Sequence, residues 1–368
     1  MAVDATPLLG PRTGIGRFTA AVLAGLGDRP DVAPVAFAAT WRGRGALDPL
    51  LPPGVAAVRR PMAARPLRAA WTRLGRPAIE WWTGPVDVVH GTNFVVPPAR
   101  RAAEVVTVHD MTALHFPELC TPDVRRYPEL LRRALDRGAW VHAVSGSVAD
   151  EVVRELGAPP ERVRAVANGG PDPGPPGDPA AGRALAGAHR YVLTLATVEP
   201  RKDHPGLVRA FASDALGGPL QDVRLVLAGP DGWGADALDA ALARSPAADR
   251  VTRLGWVDDV ARADLLAGAA ALAYPSRYEG FGLPPLEAMA AGVPVVATAV
   301  GAVPEVVGDA AVLVPAGDPE ALAAALRDVL LDRERADDLR RRGRERAGHF
   351  DWDRTVEGLV ALYREAAT

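Results

Sequence analysis

Short runs of β-branched and aliphatic residues recur along this chain, each followed by a longer stretch in which apolar positions return every three or four residues. Val86-Asp-Val-Val-His90, Glu104-Val-Val-Thr-Val-His109, Tyr191-Val-Leu-Thr-Leu195 and Val223-Arg-Leu-Val-Leu-Ala228 read as strands. Nearly continuous apolar runs of this length suit strands buried on both faces, and their alternation with helical segments predicts βαβ units and parallel sheets. The pattern stops at Gly169-Gly-Pro-Asp-Pro-Gly-Pro-Pro-Gly-Asp-Pro179, where prolines and glycines deny both helix and ladder hydrogen bonds. That run reads as an interdomain linker, placed at 171–182 between domains 1–170 and 183–350. Asp351-Trp-Asp-Arg354 then opens one last helical segment, 351–368. No short-period repeat interrupts this order.

Length and composition fit that α/β reading. The 368 residues exceed one typical domain of ~150 residues, and 48% are apolar with only 5% aromatic. Cys120 is the single cysteine, so an intramolecular disulfide and a Cys-based zinc site are both excluded, which suits a reducing compartment. The opening Met1-Ala-Val-Asp-Ala5 carries an acid where a secretory signal would carry cations, and no apolar stretch approaches the ~20 residues that cross a bilayer. A cytoplasmic protein is expected.

Charge divides the chain. Residues 1–170 hold 21 basic and 16 acidic residues, the remainder 21 and 29. Arg59, Arg60, Arg65, Arg68, Arg73 and Arg76 follow one another with no acid between them, close to Trp71, Trp81 and Trp82. This stretch can lie on anionic lipid at the inner membrane face, or form a solvated helix face whose tryptophans belong to the core. Nothing points to nucleic acid.

Open parallel sheets bind ligands beyond the carboxyl ends of their strands. His109-Asp110 follows a strand in the first half, and Arg201-Lys202, Gly229-Pro230 and Tyr274-Pro-Ser-Arg277 follow strands in the second. Two such rims, facing one another, would make a deep cleft. Lys202 is the single lysine among 42 basic residues, so a position that keeps a compact ammonium is a candidate for a crowded diphosphate pocket where a guanidinium fork would not fit. The alternative is a surface helix start.

Tyr278-Glu-Gly-Phe-Gly-Leu-Pro-Pro-Leu-Glu287 is the second signal. Gly280 and Gly282 permit close backbone approach, and Pro284-Pro285 are tolerated in a first helical turn, leaving the preceding amides aimed at an anion. Glu279 and Glu287 can face one pocket and accept hydrogen bonds from sugar hydroxyls. Thr13-Gly-Ile-Gly-Arg-Phe18 offers another helix N-terminus; Thr19 stands where a dinucleotide fingerprint needs its third glycine, which disfavours NAD.

Gly-Ile-Gly-Arg17, Val-His-Asp110, Asn168-Gly169, Glu199-Pro-Arg-Lys202, Leu227-Ala-Gly229 and the run from Tyr278 to Glu287, in this order, resemble the retaining glycosyltransferases of family 4, over nearly the whole chain. The resemblance implies the GT-B fold of two facing Rossmann-like domains, the second binding a nucleotide-sugar donor and the first an acceptor, with the last helix crossing back to the first domain. It assigns Arg201 and Lys202 to the donor diphosphate, Glu279 to the transferred sugar, Glu287 to the ribose, and the amides of Phe281, Gly282 and Leu283 to sugar or phosphate. Gly14 and Gly16 would approach the diphosphate, Gly229 would sit on the donor rim, and His109 would lie near sugar or acceptor. Asn168-Gly-Gly-Pro-Asp172 departs from the family's commoner Asn-Gly-Val-Asp, which weakens a role for Asp172.

Fixed cations and amides can neutralise a leaving diphosphate without a metal, so no metal and no cofactor are expected. The resemblance points to GDP-mannose first and UDP-glucose or another UDP-sugar second, with a glycan, glycolipid or small-molecule acceptor. Rival readings are a non-hydrolysing sugar-nucleotide epimerase or a phosphorylase on the same architecture. A glycoside hydrolase using Glu279 and Glu287 would leave Arg201 and Lys202 idle, and a carbohydrate-binding protein would need no nucleotide.

Overall fold

The computed structural model describes residues 1–10, 14–41, 45–171 and 176–368, with backbone only at 64, 65 and 72. Thr13 and Asp172 therefore lie outside the described residues. The chain forms two compact units, Met1–Gly169 with Asp351–Thr368, and Gly170–Phe350.

The first unit is built on strands β1 (Ala2–Asp4), β2 (Val35–Phe37), β3 (Ala56–Ala57), β4 (Val88–Gly91), β5 (Ala103–Val108), β6 (Trp140–Ala143) and β7 (Val163–Ala165). They pair in the order β3-β2-β1-β4-β5-β6-β7, every pair parallel. Both apolar runs read as strands in this half fall within a residue or two of β4 and β5. The helix Gly14–Gly27 lays Phe18, Val22, Leu23 and Leu26 into the core, where they share one cluster with Val356, Leu359, Val360 and Tyr363 of the helix Trp352–Ala366. Asp351 caps that helix, accepting from the amides of Asp353 and Arg354 at 2.6 and 3.1 Å.

A buried polar relay fastens the terminal helix to this sheet, and its direction follows from one carbonyl. Val166 O can only accept, so His142 Nε2, 2.9 Å away, carries the proton and His142 Nδ1 accepts from the Thr107 hydroxyl at 2.9 Å. Thr107 Oγ1 then accepts from His90 Nε2 at 2.7 Å, and His90 Nδ1 accepts from the Tyr363 hydroxyl at 2.8 Å. Burial holds His90 well below the usual imidazole range and His142 at about 4, which keeps both rings neutral as the relay requires.

The second unit carries β8 (Tyr191–Leu195), β9 (Arg224–Ala228), β10 (Val251–Gly255), β11 (Ala271–Tyr274), β12 (Val295–Thr298) and β13 (Val312–Val314) in the parallel order β10-β9-β8-β11-β12-β13. β8 coincides with the sequence expectation and β9 starts one residue later. The expected linker is shorter than 171–182, because Asp178 caps a helix beginning at Pro179, accepting from Ala180 N at 2.7 Å. Pro179 stands at the first helical position, where its missing N–H costs nothing, so the proline that suggested a linker in fact opens Pro179–Ala186.

In each sheet the strand order reverses beside the first strand: between β1 and β4, and between β8 and β11. Chains leaving the carboxyl ends of two such strands turn away from each other and leave a crevice, the usual ligand position in open α/β sheets.

Candidate active site

In the second unit the residues after β8 and β11 meet at that crevice. Pro200–Lys202 forms a single tight turn after β8, followed by Asp203 with φ +46° and then the helix His204–Phe211. Asp203 tolerates the left-handed conformation and its carboxylate accepts from Gly206 N at 3.2 Å, capping the helix. The turn is thereby held with Arg201 and Lys202 beside the loop that follows β11, and Arg277 N donates to Arg201 O at 2.8 Å.

Glu279 is the hub. Its side chain is only 7% exposed, and it accepts from Arg201 Nη1 at 2.8 Å and Lys202 Nζ at 2.5 Å. Arg201 also donates to Tyr278 O at 2.9 Å and to Glu199 at 2.7 Å, while Lys202 reaches the Tyr274 hydroxyl at 3.2 Å and lies 5.2 Å from the centre of its ring. Burial by itself would raise the Glu279 pKa; the charges of Arg201 and Lys202 outweigh it and hold the carboxyl at about 2. For Lys202 burial and the neighbouring Arg201 outweigh the attraction of Glu279, so its ammonium is held below the usual lysine range. His204, buried beside these cations, is pushed down to about 4. The cluster thus fixes one ionised carboxylate among cations that arriving phosphate oxygens can engage.

The adjoining loop presents backbone. Gly282, at φ +107°, precedes the helix Leu283–Ala290, whose first turn contains Pro284 and Pro285. The amides of Phe281, Gly282 and Leu283 donate no hydrogen bond within the described residues, and the helix terminus favours an anion there. Glu287, one turn in, is 4% exposed and forms an ion pair with Arg262 of the helix Asp259–Gly268. Gly229 follows β9 at φ +151°, where a Cβ would stand 1.9 Å from Ala196 O, so the chain after β9 can pass this close to the chain after β8 only as glycine.

The structure therefore brings Arg201, Lys202 and Glu279 together in the second unit, which also holds Gly229, Phe281, Gly282, Leu283 and Glu287. Gly14, Gly16 and His109 belong to the first unit. Gly14 and Gly16 lie in the first turn of Gly14–Gly27, Gly14 exposed and Gly16 buried. His109 Nε2 donates to Thr92 O at 2.8 Å, which leaves Nδ1 as the acceptor, and burial holds the ring neutral below the usual range. Glu199, Tyr274 and Arg262 have no role assigned from sequence; Glu199 and Tyr274 stand in the quoted rim motifs, whereas Arg262 reaches the site only through helix packing.

The tryptophan-arginine stretch divides. Trp71 is 7% exposed with Nε1 bonded to Pro77 O at 2.9 Å, and Trp82 Nε1 bonds Pro61 O at 3.0 Å, so the three tryptophans do not share one outer face. Trp71 turns inward because the helix Ala64–Leu74 has one apolar stripe to bury. Trp81 is 73% exposed and Leu74 63%, whereas Arg59 pairs with Asp48 at 3.5 Å and Arg60 bonds Trp81 O. Among the described residues no helix is long and apolar enough to cross a membrane, and no group of three His, Cys, Asp or Glu side chains is placed to hold a metal ion.

Two parallel-sheet units, each with polar rims at a topological switch point, and a carboxylate held between cations beside a helix terminus, are the architecture of a glycosyltransferase of the GT-B class. Comparison with known proteins agrees: residues 182–346 match the Glycosyl transferases group 1 family and residues 13–170 match Glycosyltransferase Family 4. The chain belongs to glycosyltransferase family 4. It is 32% identical over 283 residues to O-antigen chain mannosyltransferase B of Escherichia coli, covering 75% of this chain and 74% of that protein. It is 37% identical over 237 residues to a D-inositol 3-phosphate glycosyltransferase of Saccharomonospora viridis, covering 59% of this chain and 53% of that one. The crystal structure of WaaG, a glycosyltransferase involved in lipopolysaccharide biosynthesis, superposes with a TM-score of 0.73 at 19% identity, covering 100% of this chain and 98% of that one. Anabaena Alr3699/HepE in complex with UDP-glucose superposes with a TM-score of 0.70 at 19% identity, covering 100% and 97%.

Proposed function

We propose that this glycosyltransferase moves a hexose, with retention at the anomeric carbon and without a metal ion, from a nucleotide sugar bound in the second unit to a hydroxyl of a glycan, glycolipid or small-molecule acceptor. The observation that carries this reading is the Arg201–Glu279–Lys202 cluster at the β8/β11 switch point. Arg201 and Lys202 stabilise the departing diphosphate, and the unbonded amides at Phe281, Gly282 and Leu283 add fixed dipoles that need no reorganisation. Glu279, ionised throughout the neutral range, faces the positive charge that develops on the sugar ring. It positions and stabilises rather than attacks, and a phosphate oxygen takes the acceptor proton on the leaving-group face. Glu287 holds the ribose, oriented by Arg262.

GDP-mannose is the proposed donor, supported by the mannosyltransferase relative; UDP-glucose is the second choice, since a neighbour of the same fold has been crystallised with it. The proposed setting is cytoplasmic, with peripheral contact of the first unit on anionic lipid through the basic stretch from Arg59 to Arg76 and the exposed Leu74 and Trp81. A thermal-shift panel of nucleotide sugars tests the donor, because a ligand that binds only the native state raises its apparent stability. GDP-mannose should give the largest shift. A panel in which no nucleotide sugar shifts the transition would remove the reading.

A further inference from the structure

The first unit has its own crevice, at the switch point between β1 and β4. Asp4 ends β1, Phe37 ends β2, and Asn93 follows β4 by two residues. Together with Thr6, Arg68 and Trp71 they line a recess of about 90 Å³. By the measure in which one water needs roughly 10–15 Å³, this offers roughly six to nine water-sized positions, and the recess opens to solvent so that a larger group can extend outward.

Its polar atoms are unusually one-sided. Both hydrogen bonds to the Asp4 carboxylate come from Thr6, from its amide at 2.8 Å and its hydroxyl at 2.5 Å, and both fall on Oδ1. Oδ2 receives none within the described residues. Asn93 Oδ1 is buried and has no hydrogen-bond partner among the described residues. Gly91 enforces this placement: a Cβ there would stand 2.0 Å from Val95 O, so only glycine lets the chain fold back after β4, with Val95 N bonded to Asn93 O at 2.7 Å. A desolvated oxygen that lacks a donor, as Asn93 Oδ1 does, costs free energy until a donor reaches it, and Asp4 Oδ2 faces the same open recess with its acceptor capacity unspent. Burial pushes the Asp4 carboxyl above its usual range, against the Thr6 hydrogen bonds and the charge of Arg68.

We propose that this recess is an acceptor subsite that takes two hydroxyls of a neutral sugar or polyol, one on Asp4 Oδ2 and one on Asn93 Oδ1, with the rings of Trp71 and Phe37 as its apolar wall. The inference rests on the glycosyl-transfer reading and names the acceptor's chemistry. Anionic groups are excluded from the inner end, because a phosphate or carboxylate would meet the Asp4 carboxylate and an amide oxygen that can only accept. His109 lies next to this rim, its Nε2 spent on Thr92 O and its Nδ1 left to receive a further hydroxyl.

Saturation-transfer NMR on the full chain tests it, with methyl α-mannopyranoside and myo-inositol as neutral probes and inorganic phosphate as the anionic one. The wild type should saturate at least one neutral probe, and phosphate should leave that signal unchanged. Asp4→Asn, which keeps an acceptor for Thr6, and Asn93→Leu, which breaks no internal side-chain bond, should each weaken probe binding about tenfold or more. In the wild type the bound probe should also shift the Asn93 side-chain amide resonance. Neutral probes bound equally by both variants, displacement by phosphate, no saturation of either probe, or an unmoved Asn93 resonance would overturn the proposal. Nucleotide-sugar binding by the same samples reads the second unit alone, so donor binding that persists while polyol binding is absent sinks this inference and leaves the transferase reading standing.

Discussion

Replacing Glu279 by Gln removes one charge from the centre of the site and has consequences of known sign. The carboxyl, about 7% exposed, titrates at about 2 in the folded chain against an ordinary value of 4.5. A gap of that size corresponds to about 3 kcal/mol of stability at neutral pH, since each unit is worth about 1.4 kcal/mol. Burial of Lys202 offsets part of this, because that ammonium is held below its usual range despite the same ion pair. A lowered carboxyl pKa stabilises above the unfolded value and loses that contribution as pH falls towards the folded one. Glu279→Gln should therefore cost up to about 3 kcal/mol above pH ~5, and the deficit should shrink steadily as pH falls from about 4.5 towards 2, where the wild-type carboxyl is itself protonated. Native-state hydrogen exchange at the β8 and β11 amides follows the second unit alone and reads the difference at each pH. A deficit that stayed constant from pH 7 to pH 3 would refute the ion-pair account of Glu279. In the same variant turnover should fall by about 10² or more with donor affinity largely kept, because the carboxylate acts on charge that develops in the transition state.

Lys202→Ala should abolish most transfer and Lys202→Arg should not restore it fully, since a compact ammonium is held between Glu279 and the Tyr274 hydroxyl and ring and a planar fork would have to make different contacts there; steady-state rates at wild-type level in the Arg variant would count against this. Transfer should persist in EDTA, because the proposed charge compensation comes from Arg201, Lys202 and backbone amides, and metal-reversible loss of turnover would contradict it. Liposome sedimentation should show binding to anionic but not neutral vesicles at low salt, fading as salt rises, at roughly 1 kcal/mol per basic residue engaged. Equal binding to both vesicle types, or none, would dismiss the membrane contact.

What was legible in the sequence is what strand ends make local. Arg201 and Lys202 follow the end of β8 by six and seven residues and Glu279 follows β11 by five, so the apolar runs that mark the strands also mark the rim. What was not legible depends on strand order and packing. Nothing in the spacing of Arg262 and Glu287 shows that two helices set them side by side, and nothing near Asp4 shows that β4, some ninety residues later, pairs beside β1 and delivers Asn93. The His90–Thr107–His142–Tyr363 relay is hidden for the same reason, each member lying on a different strand or helix. Trp71 was open to two readings because it stands among arginines in a stretch whose burial only the packed helix decides. Pro179 misled in the opposite direction, since a proline ends one helix and starts another equally well.

The central claim is transfer with retention from a nucleotide sugar at the Arg201–Lys202–Glu279 site. One measurement tests it most directly: a proton NMR time course of the purified chain with GDP-mannose and the acceptor probe that binds best, following the anomeric signals and the released nucleoside diphosphate. The account predicts diphosphate released in step with a new α-linked product, only when acceptor is present, and loss of both signals in Lys202→Ala. A β-linked product, or diphosphate released equally without acceptor, would contradict it.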